Sequence, residues 1–270
     1  MIVVKIGGAS GINLDAVCTD VAGLVSQGQE VLIAHGGSAE TNEISTQLGY
    51  PPHMVTSVSG FTSRYTDRTT MEIFAMVTSG KINSLVVERL QQAGVNAFGL
   101  SGLDGRVMVA KRKDAIRIVE NGKQRILRDD FTGKLESVNS ELLLTLLKAG
   151  LTPVVAPVAI STASEMLNVD ADRAAAYLAG GIQADVLVIL TNVPGLMRKF
   201  PDESTLISRI QKSQLEKALE YAEGRMKKKV LGASEAFDLG VPKVIFADGR
   251  IENPITAALN GKGTLISTEN

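Results

Sequence analysis

Residues 2–8 read Ile2-Val3-Val4-Lys5-Ile6-Gly7-Gly8, a run of β-branched residues that stops on a glycine pair. Apolar positions follow at Leu14, Val17, Val21, Leu24 and Val25, a helical rhythm. The next run, Val31-Leu32-Ile33-Ala34, again stops on glycine, in His35-Gly36-Gly37-Ser38. A strand, a glycine turn and a helix, repeated, predict a mainly parallel sheet covered on both faces.

Further along, Thr69-x-x-Glu72 has the spacing of a capping box before a helix with Met71, Phe74 and Val77 on one face. Between Gly102 and Asn139 the pattern changes. Asp104-Gly105 and Asn121-Gly122 are hairpin dipeptides between short β runs, so an antiparallel excursion is expected there. Alternation then resumes, with a helix over Ser140–Lys148, a strand over Pro153–Ile160 and a helix over Asp170–Ala179. Asp185–Leu190 is an apolar strand of the fully buried type. A helix running from Ser213 to Leu239, broken near Gly224, precedes a strand at Lys243–Ala247. Asn253-Pro254 opens the last helix, with Asn as its cap. The expected fold class is α/β, one continuous domain with two lobes, residues 1–165 and 166–270.

Composition narrows the function. Lys+Arg 28 against Asp+Glu 29 leaves a net charge of -1, so no overall field draws in nucleic acid or a membrane. Aromatics are 4% with no Trp, which argues against a base-stacking surface. The single cysteine, Cys18, lies in a helical apolar stripe and reads as core in a reducing compartment. Two histidines and one cysteine make a zinc-type cluster improbable. The amino-terminal segment lacks the basic and apolar regions of a signal peptide, and a cytoplasmic location is expected.

Both glycine pairs stand where a strand gives way to a helix, where backbone N–H groups can cradle an anion, and Lys5 accompanies one of them. Two ordinary βα turns would also use glycine. No P-loop and no protein-kinase motif occurs. His35 suits the orientation of a glycine turn better than general-base work, and His53 reads as surface. Arg64, in Ser63-Arg64-Tyr65-Thr66-Asp67 ahead of a helix, can clamp a carboxylate or stand solvated. In Asn168-Val169-Asp170-Ala171-Asp172 the polar groups form either a site wall or a double helix cap. Lys227-Lys228-Lys229 would ordinarily be a solvated helix face.

Taken in this order, K-x-G-G, H-G-G, R-x-T-D, N-V-x-A-D, A-D-x-L-x-x-L-T-N-V-x-G-L and G-x-M-x-x-K resemble the amino acid kinase family nearly end to end. The resemblance implies a three-layer αβα sandwich on a mostly parallel eight-stranded sheet. Its amino-terminal lobe would bind a carboxylate substrate and its carboxy-terminal lobe ATP, with Mg2+ held mainly through the phosphates and by few or no protein ligands. By position, Lys5 and Lys229 would stabilise the transferring phosphoryl group and Asp172 would hold both lysines. Gly8 would offer its N–H to the nucleotide phosphates, and Gly36 and Gly37 theirs to the substrate. Arg64 and Asn168 would grip the substrate's α-carboxylate and its neighbouring amide. Thr191, Asn192, Gly195, Leu196 and Met226 would border the nucleotide. Relatives in this family are often dimers, so a homodimer is expected.

Within the family, His35-Gly36-Gly37-Ser38-Ala39-Glu40 and Ser63-Arg64-Tyr65-Thr66-Asp67-Arg68 depart from the N-acetylglutamate kinase pattern around the substrate's amino end. They resemble the subgroup acting on α-aminoadipate or glutamate attached to a small acidic amino-group carrier protein of the LysW type. Lys111, Arg112, Lys113, Arg117, Lys123, Arg125 and Arg128, with Arg68, would then form a basic rim for that carrier; a solvated hairpin is the plainer reading. The alternatives are an N-acetylglutamate kinase and a non-catalytic nucleotide-sensing relative.

Overall fold

A computed structural model describes residues 1–270 apart from Ser59, Phe61, Asn121, Glu223, Glu269 and Asn270, and apart from the Arg225 side chain. In chain order the elements begin with β1 (Ile2–Ile6), α1 (Leu14–Ser26), β2 (Val31–His35), α2 (Ser38–Gln47), β3 (Met54–Ser57) and β4 (Thr62–Arg64). Next come α3 (Arg68–Ala75), a π-helical segment (Met76–Ile82), α4 (Asn83–Gln92) and β5 (Ala97–Ser101). The excursion holds β6 (Met108–Arg112), β7 (Ile116–Glu120), β8 (Lys123–Leu127) and β9 (Gly133–Val138). Then follow α5 (Ser140–Lys148), β10 (Thr152–Ala156), β11 (Val158–Ser161), β12 (Met166–Asn168), α6 (Ala171–Gly181) and β13 (Val186–Thr191). The chain closes with β14 (Arg209–Gln211), α7 (Leu215–Ala218), α8 (Gly224–Asp238), β15 (Lys243–Asp248), α9 (Pro254–Leu259) and β16 (Thr264–Ser267).

Eight strands form the central sheet in the order β14-β16-β15-β13-β1-β2-β10-β5, parallel except where β15 meets β16. Val3, Leu32, Leu187 and Val244 face one core with Leu143 of α5, Leu178 of α6 and Val230 of α8. Val4, Ile33 and Val188 face the other with Val17, Cys18 and Val21 of α1, Val86 of α4 and Ile255 of α9. Helices therefore cover both faces, and the three-layer αβα sandwich is present. The chain leaves β1 for β2 on one side, while β13 pairs with β1 on the other. Where the sheet order reverses in this way, the loops at the carboxyl ends of the strands diverge and leave a crevice.

Several local expectations need correction. Asp104-Gly105 is not a hairpin turn: β5 belongs to the central sheet and β6 to a four-stranded sheet of order β12-β11-β6-β9. The Asp104 carboxylate instead accepts from the Ser101 amide and hydroxyl, and Gly105 takes a positive φ of 54. The second dipeptide does close the β7–β8 hairpin, with Glu120 opposite Lys123 and Gly122 at φ 74; Asn121 lies outside the described residues. That hairpin belongs to a third sheet, β4-β3-β7-β8.

The apolar run 153–160 is two strands in two sheets, because Pro157 has no N–H to continue a ladder. Helix α3 is capped by Asp67, which accepts from Thr70 N at 2.8 Å, and not by Thr69; Glu72 pairs with Arg68 instead. The Asn253 side chain does not cap α9. Buried Asp20 of α1 does so, accepting from Ile255 N at 2.6 Å and Thr256 N at 2.9 Å. The break near Gly224 stands, between α7 and α8.

Candidate active site

Lys5 lies one residue from the end of β1 and is only 3% exposed. Its Nζ is 2.6 Å from Asp172 Oδ1. Lys229, 8% exposed on α8, donates to Oδ1 and Oδ2 of the same carboxylate, both at 3.1 Å. Asp172 sits in the first turn of α6, whose cap is the neighbouring Asp170, accepting from the amides of Asp172 and Arg173. The two readings of this segment therefore belong to different residues: Asp170 caps the helix, and Asp172 binds the lysines.

Two ammonium groups and one carboxylate leave the buried cluster with one surplus positive charge. Burial alone would raise the Asp172 carboxyl, but the charges of Lys229 and Lys5 outweigh it and hold it well below the usual carboxylate range. Burial lowers Lys229 to about 8; Asp172 opposes this, and the Lys5 charge adds to it. An anion arriving between the two lysines relieves that excess.

What holds Lys229 in place was not read from the sequence. Arg173 Nε donates to Glu235 Oε1 and Oε2 at 2.8 and 2.9 Å, tying α6 to α8. A Cβ added to Gly232 would lie 3.3 Å from the Asp172 carbonyl carbon and Cβ. This glycine lets α8 approach α6 closely enough for Lys229 to reach Asp172. Its signal was an isolated glycine inside a helical pattern, which costs about 1 kcal/mol and so asks for a packing reason.

The two glycine turns meet each other beside the start of α6. A Cβ on Gly8 would stand 2.5 Å from Gly37 N, and one on Gly36 would stand 2.9 Å from Gly8 N and 3.7 Å from Ala171 Cβ. Neither position admits a side chain. The role given to Gly36 needs correction: its N–H already donates to Ile6 O at 3.0 Å, because it continues the ladder beyond β2. Gly8 and Gly37 are left as the candidate donors.

Arg64 is half-buried at the end of β4, where Nη1 donates to Asn42 Oδ1 at 2.6 Å and the guanidinium lies 5.4 Å from the Phe74 ring centroid. Its Nε is buried without a hydrogen-bond partner, a donor suited to an incoming carboxylate. Asn168 reaches the same loop, donating to Thr66 Oγ1 at 3.1 Å, while Thr66 Oγ1 donates to Arg64 O. Buried Asp130 fixes that loop by accepting from Thr66 N, a residue the sequence did not single out.

Thr191 ends β13 beside β1, and Asn192 Cβ lies 3.9 Å from where a Gly11 Cβ would be, so both border the first glycine loop. Gly195 packs tightly on Thr264 and Leu206. Leu196 is fully buried, its amide donating to Thr264 Oγ1 at 2.9 Å, so its side chain belongs to the core and not to the site surface. Met226 is half-buried against the same core, as is Tyr221.

The profile of the amino acid kinase family matches residues 1–248. The chain belongs to the amino acid kinase family. It is 55% identical to the [LysW]-aminoadipate kinase of Deinococcus radiodurans over 99% of this chain and 91% of that one. It is 52% identical to the enzyme of the same name from Thermus thermophilus, over 98% of this chain and 100% of that one. Among solved structures, N-acetylglutamate synthase from Neisseria gonorrhoeae superposes with a TM-score of 0.79 at 24% identity, over 100% of this chain. The chain spans 59% of the length of that synthase, and the likeness is one of fold.

Proposed function

We propose that this amino acid kinase transfers the γ-phosphoryl group of ATP to the side-chain carboxylate of α-aminoadipate linked to a small acidic carrier of the LysW type. The product is an acyl phosphate, and the reaction is a step of lysine biosynthesis. Carrier-linked glutamate, one methylene shorter, is the second candidate substrate; with it the same step would serve arginine biosynthesis. The substrate rests on the similarity to the two [LysW]-aminoadipate kinases. The chemistry rests on one observation, the two buried lysines sharing Asp172.

Phosphoryl transfer needs positioning and charge stabilisation more than covalent help. An ionised carboxylate is already a nucleophile, so no general base is required. Lys5 and Lys229 are placed to hold the charge that spreads over the equatorial oxygens, and Asp172 fixes their separation. Gly8 and Gly37 offer N–H groups to the phosphates and the substrate, and Arg64 and Asn168 hold the amino-acid end. Thr191, Asn192, Gly195 and Met226 border the nucleotide. Mg2+ would be held mainly through the nucleotide phosphates, where it would neutralise charge beside the two lysine ammonium groups. Residues 1–165 carry the substrate side and residues 166–270 the nucleotide side.

A hydroxamate trap for the acyl phosphate tests this reading, comparing carrier-linked aminoadipate, carrier-linked glutamate and free N-acetylglutamate. Product from free N-acetylglutamate alone would make the chain an N-acetylglutamate kinase. No product from any of them would favour a nucleotide-sensing relative. The pH profile should follow Lys229. In the free enzyme its charge is lost as pH rises through about 8, so kcat/KM should decline on the alkaline side from there. The kcat profile should hold to higher pH, because bound phosphates favour the charged ammonium. A kcat/KM that stays flat to pH 9.5 would contradict this.

The basic rim is narrower than the sequence suggests. Arg112 lies 3.8 Å from the Phe131 ring centroid and bonds Asp130 O and Glu165 Oε1, so it is structural. Arg68 is paired with Glu72, and Arg125 with Glu120. Lys111, Lys113, Arg117, Arg128 and Lys134 line a groove of about 590 Å3, together with the held Arg112 and one acid, Asp114, and would meet the acidic carrier. Carrier affinity should fall about tenfold between 0.05 and 0.5 M salt, and Arg117→Ala with Arg128→Ala should flatten that dependence. Affinity indifferent to salt would mean that these cations do not meet the carrier. A homodimer and a cytoplasmic setting complete the reading. In support of the first, β5 is an edge strand of the central sheet, with Phe98 exposed on it and Leu85 exposed on the neighbouring α4.

A further inference from the structure

We infer that Asn83 is a positioning residue for the glycine turn at Gly36-Gly37, acting through the tautomer of His35. This goes beyond the proposed function but rests on it, since the turn is assigned to the site there.

His35 ends β2 and is 1% exposed. Its Nδ1 lies 3.0 Å from Gly36 O, and its Nε2 lies 3.1 Å from Asn83 Nδ2. Asn83 is buried at the start of α4, and the same Nδ2 donates to Val154 O of β10 at 2.9 Å. An amide nitrogen only donates: one Asn83 Nδ2 hydrogen goes to Val154 O, with Leu100 O farther off at 3.4 Å, and the other to His35 Nε2, which leaves the ring proton on Nδ1. That proton is given to Gly36 O. The Gly36 carbonyl and the Gly37 N–H belong to one planar trans peptide and point in opposite directions. Holding the carbonyl therefore aims the Gly37 N–H, the donor left to the site once Gly36 N is committed to Ile6.

The π-helical segment just before Asn83 belongs to the same device. Thr78 within it is fully buried, and its Cγ2 would lie 2.7 Å from a Cβ on Gly37. The segment thus packs on the turn with one residue and delivers Asn83 behind it with another, as π-bulges at functional sites do. Lys5, on β1, is the charged side chain that acts on His35; burial, opposed by the bond to Gly36 O and helped by that charge, lowers the ring to about 4, so it stays neutral at working pH.

The test is ring 15N NMR on the full chain, with turnover measured alongside. The protein has two histidines, and a His53→Asn variant assigns His35 by subtraction. Between pH 5.5 and 8, His35 should remain neutral with its proton on Nδ1. Asn83→Asp, which puts an acceptor against Nε2, should place a proton there and lower kcat at least tenfold. Asn83→Ser, which is too short to reach the ring, should leave mixed tautomers and a smaller loss. A wild-type ring that is charged in this range, or protonated on Nε2, overturns the inference. So does a variant whose ring state changes while kcat and KM remain those of the wild type. If Asn83→Asp does not fold, the wild-type spectrum and Asn83→Ser decide. An inactive wild type would defeat the proposed substrate, while the ring measurement would stand apart from it.

Discussion

Lys229→Ala should lower kcat on the carrier-linked substrate about a hundred- to thousand-fold, equivalent to roughly 3–4 kcal/mol of barrier, as expected for losing one preorganised donor at a developing charge. The protein should still fold. Removing Lys229 takes away the surplus charge and leaves Lys5 and Asp172 as a neutral buried pair at 2.6 Å. Lys5→Ala should do the same, since Lys229 keeps both contacts to the carboxylate. Steady-state kinetics with the hydroxamate trap, and circular dichroism to confirm the fold, are sufficient. A Lys229→Ala protein that is well folded and turns over at the wild-type rate would remove this lysine from the chemistry.

Asp172→Ala should behave differently, losing stability as well as activity. It leaves two ammonium groups buried side by side with no counter-charge, and breaking a buried pair from one side costs about 3–5 kcal/mol. Because the folded carboxyl is held below its usual range, the stability it contributes is complete above the ordinary Asp pKa and declines as pH falls through the folded value. Chemical denaturation at pH 7 should show the deficit, and double replacement with Lys229→Met should restore part of it by removing one cation. A variant as stable as the wild type would mean the lysines do not depend on Asp172.

The sheet was legible because its central strands are buried on both faces and read as continuous apolar runs broken by glycine, as in Ile2-Val3-Val4-Lys5-Ile6. The site residues were legible through order and spacing once the family resemblance was seen. By itself the lysine run 227–229 gave no sign that Lys229 alone is buried while Lys227 is exposed. Less visible were contacts made across the fold. Asp20 caps α9 from 235 residues away, and no local pattern encodes that. Asp67, two residues earlier, takes the cap that the Thr69–Glu72 spacing suggested, its carboxylate accepting from Thr70 N so that the helix starts before Thr69. Arg112 looked like one more rim cation, although the Phe131 ring and Glu165 that hold it lie at distant positions in the chain.

Two like charges held by one buried acid carry the proposed chemistry, and Lys229 reports on them directly. Its ammonium can be titrated by NMR of the Cε and Nζ resonances, assigned with Lys229→Met, first in the free protein and then with Mg2+ and a non-hydrolysable ATP analogue. The expected result is an apparent pKa of about 8 in the free protein that rises when the nucleotide binds. An ordinary lysine titration in the free protein, unmoved by nucleotide, would contradict it.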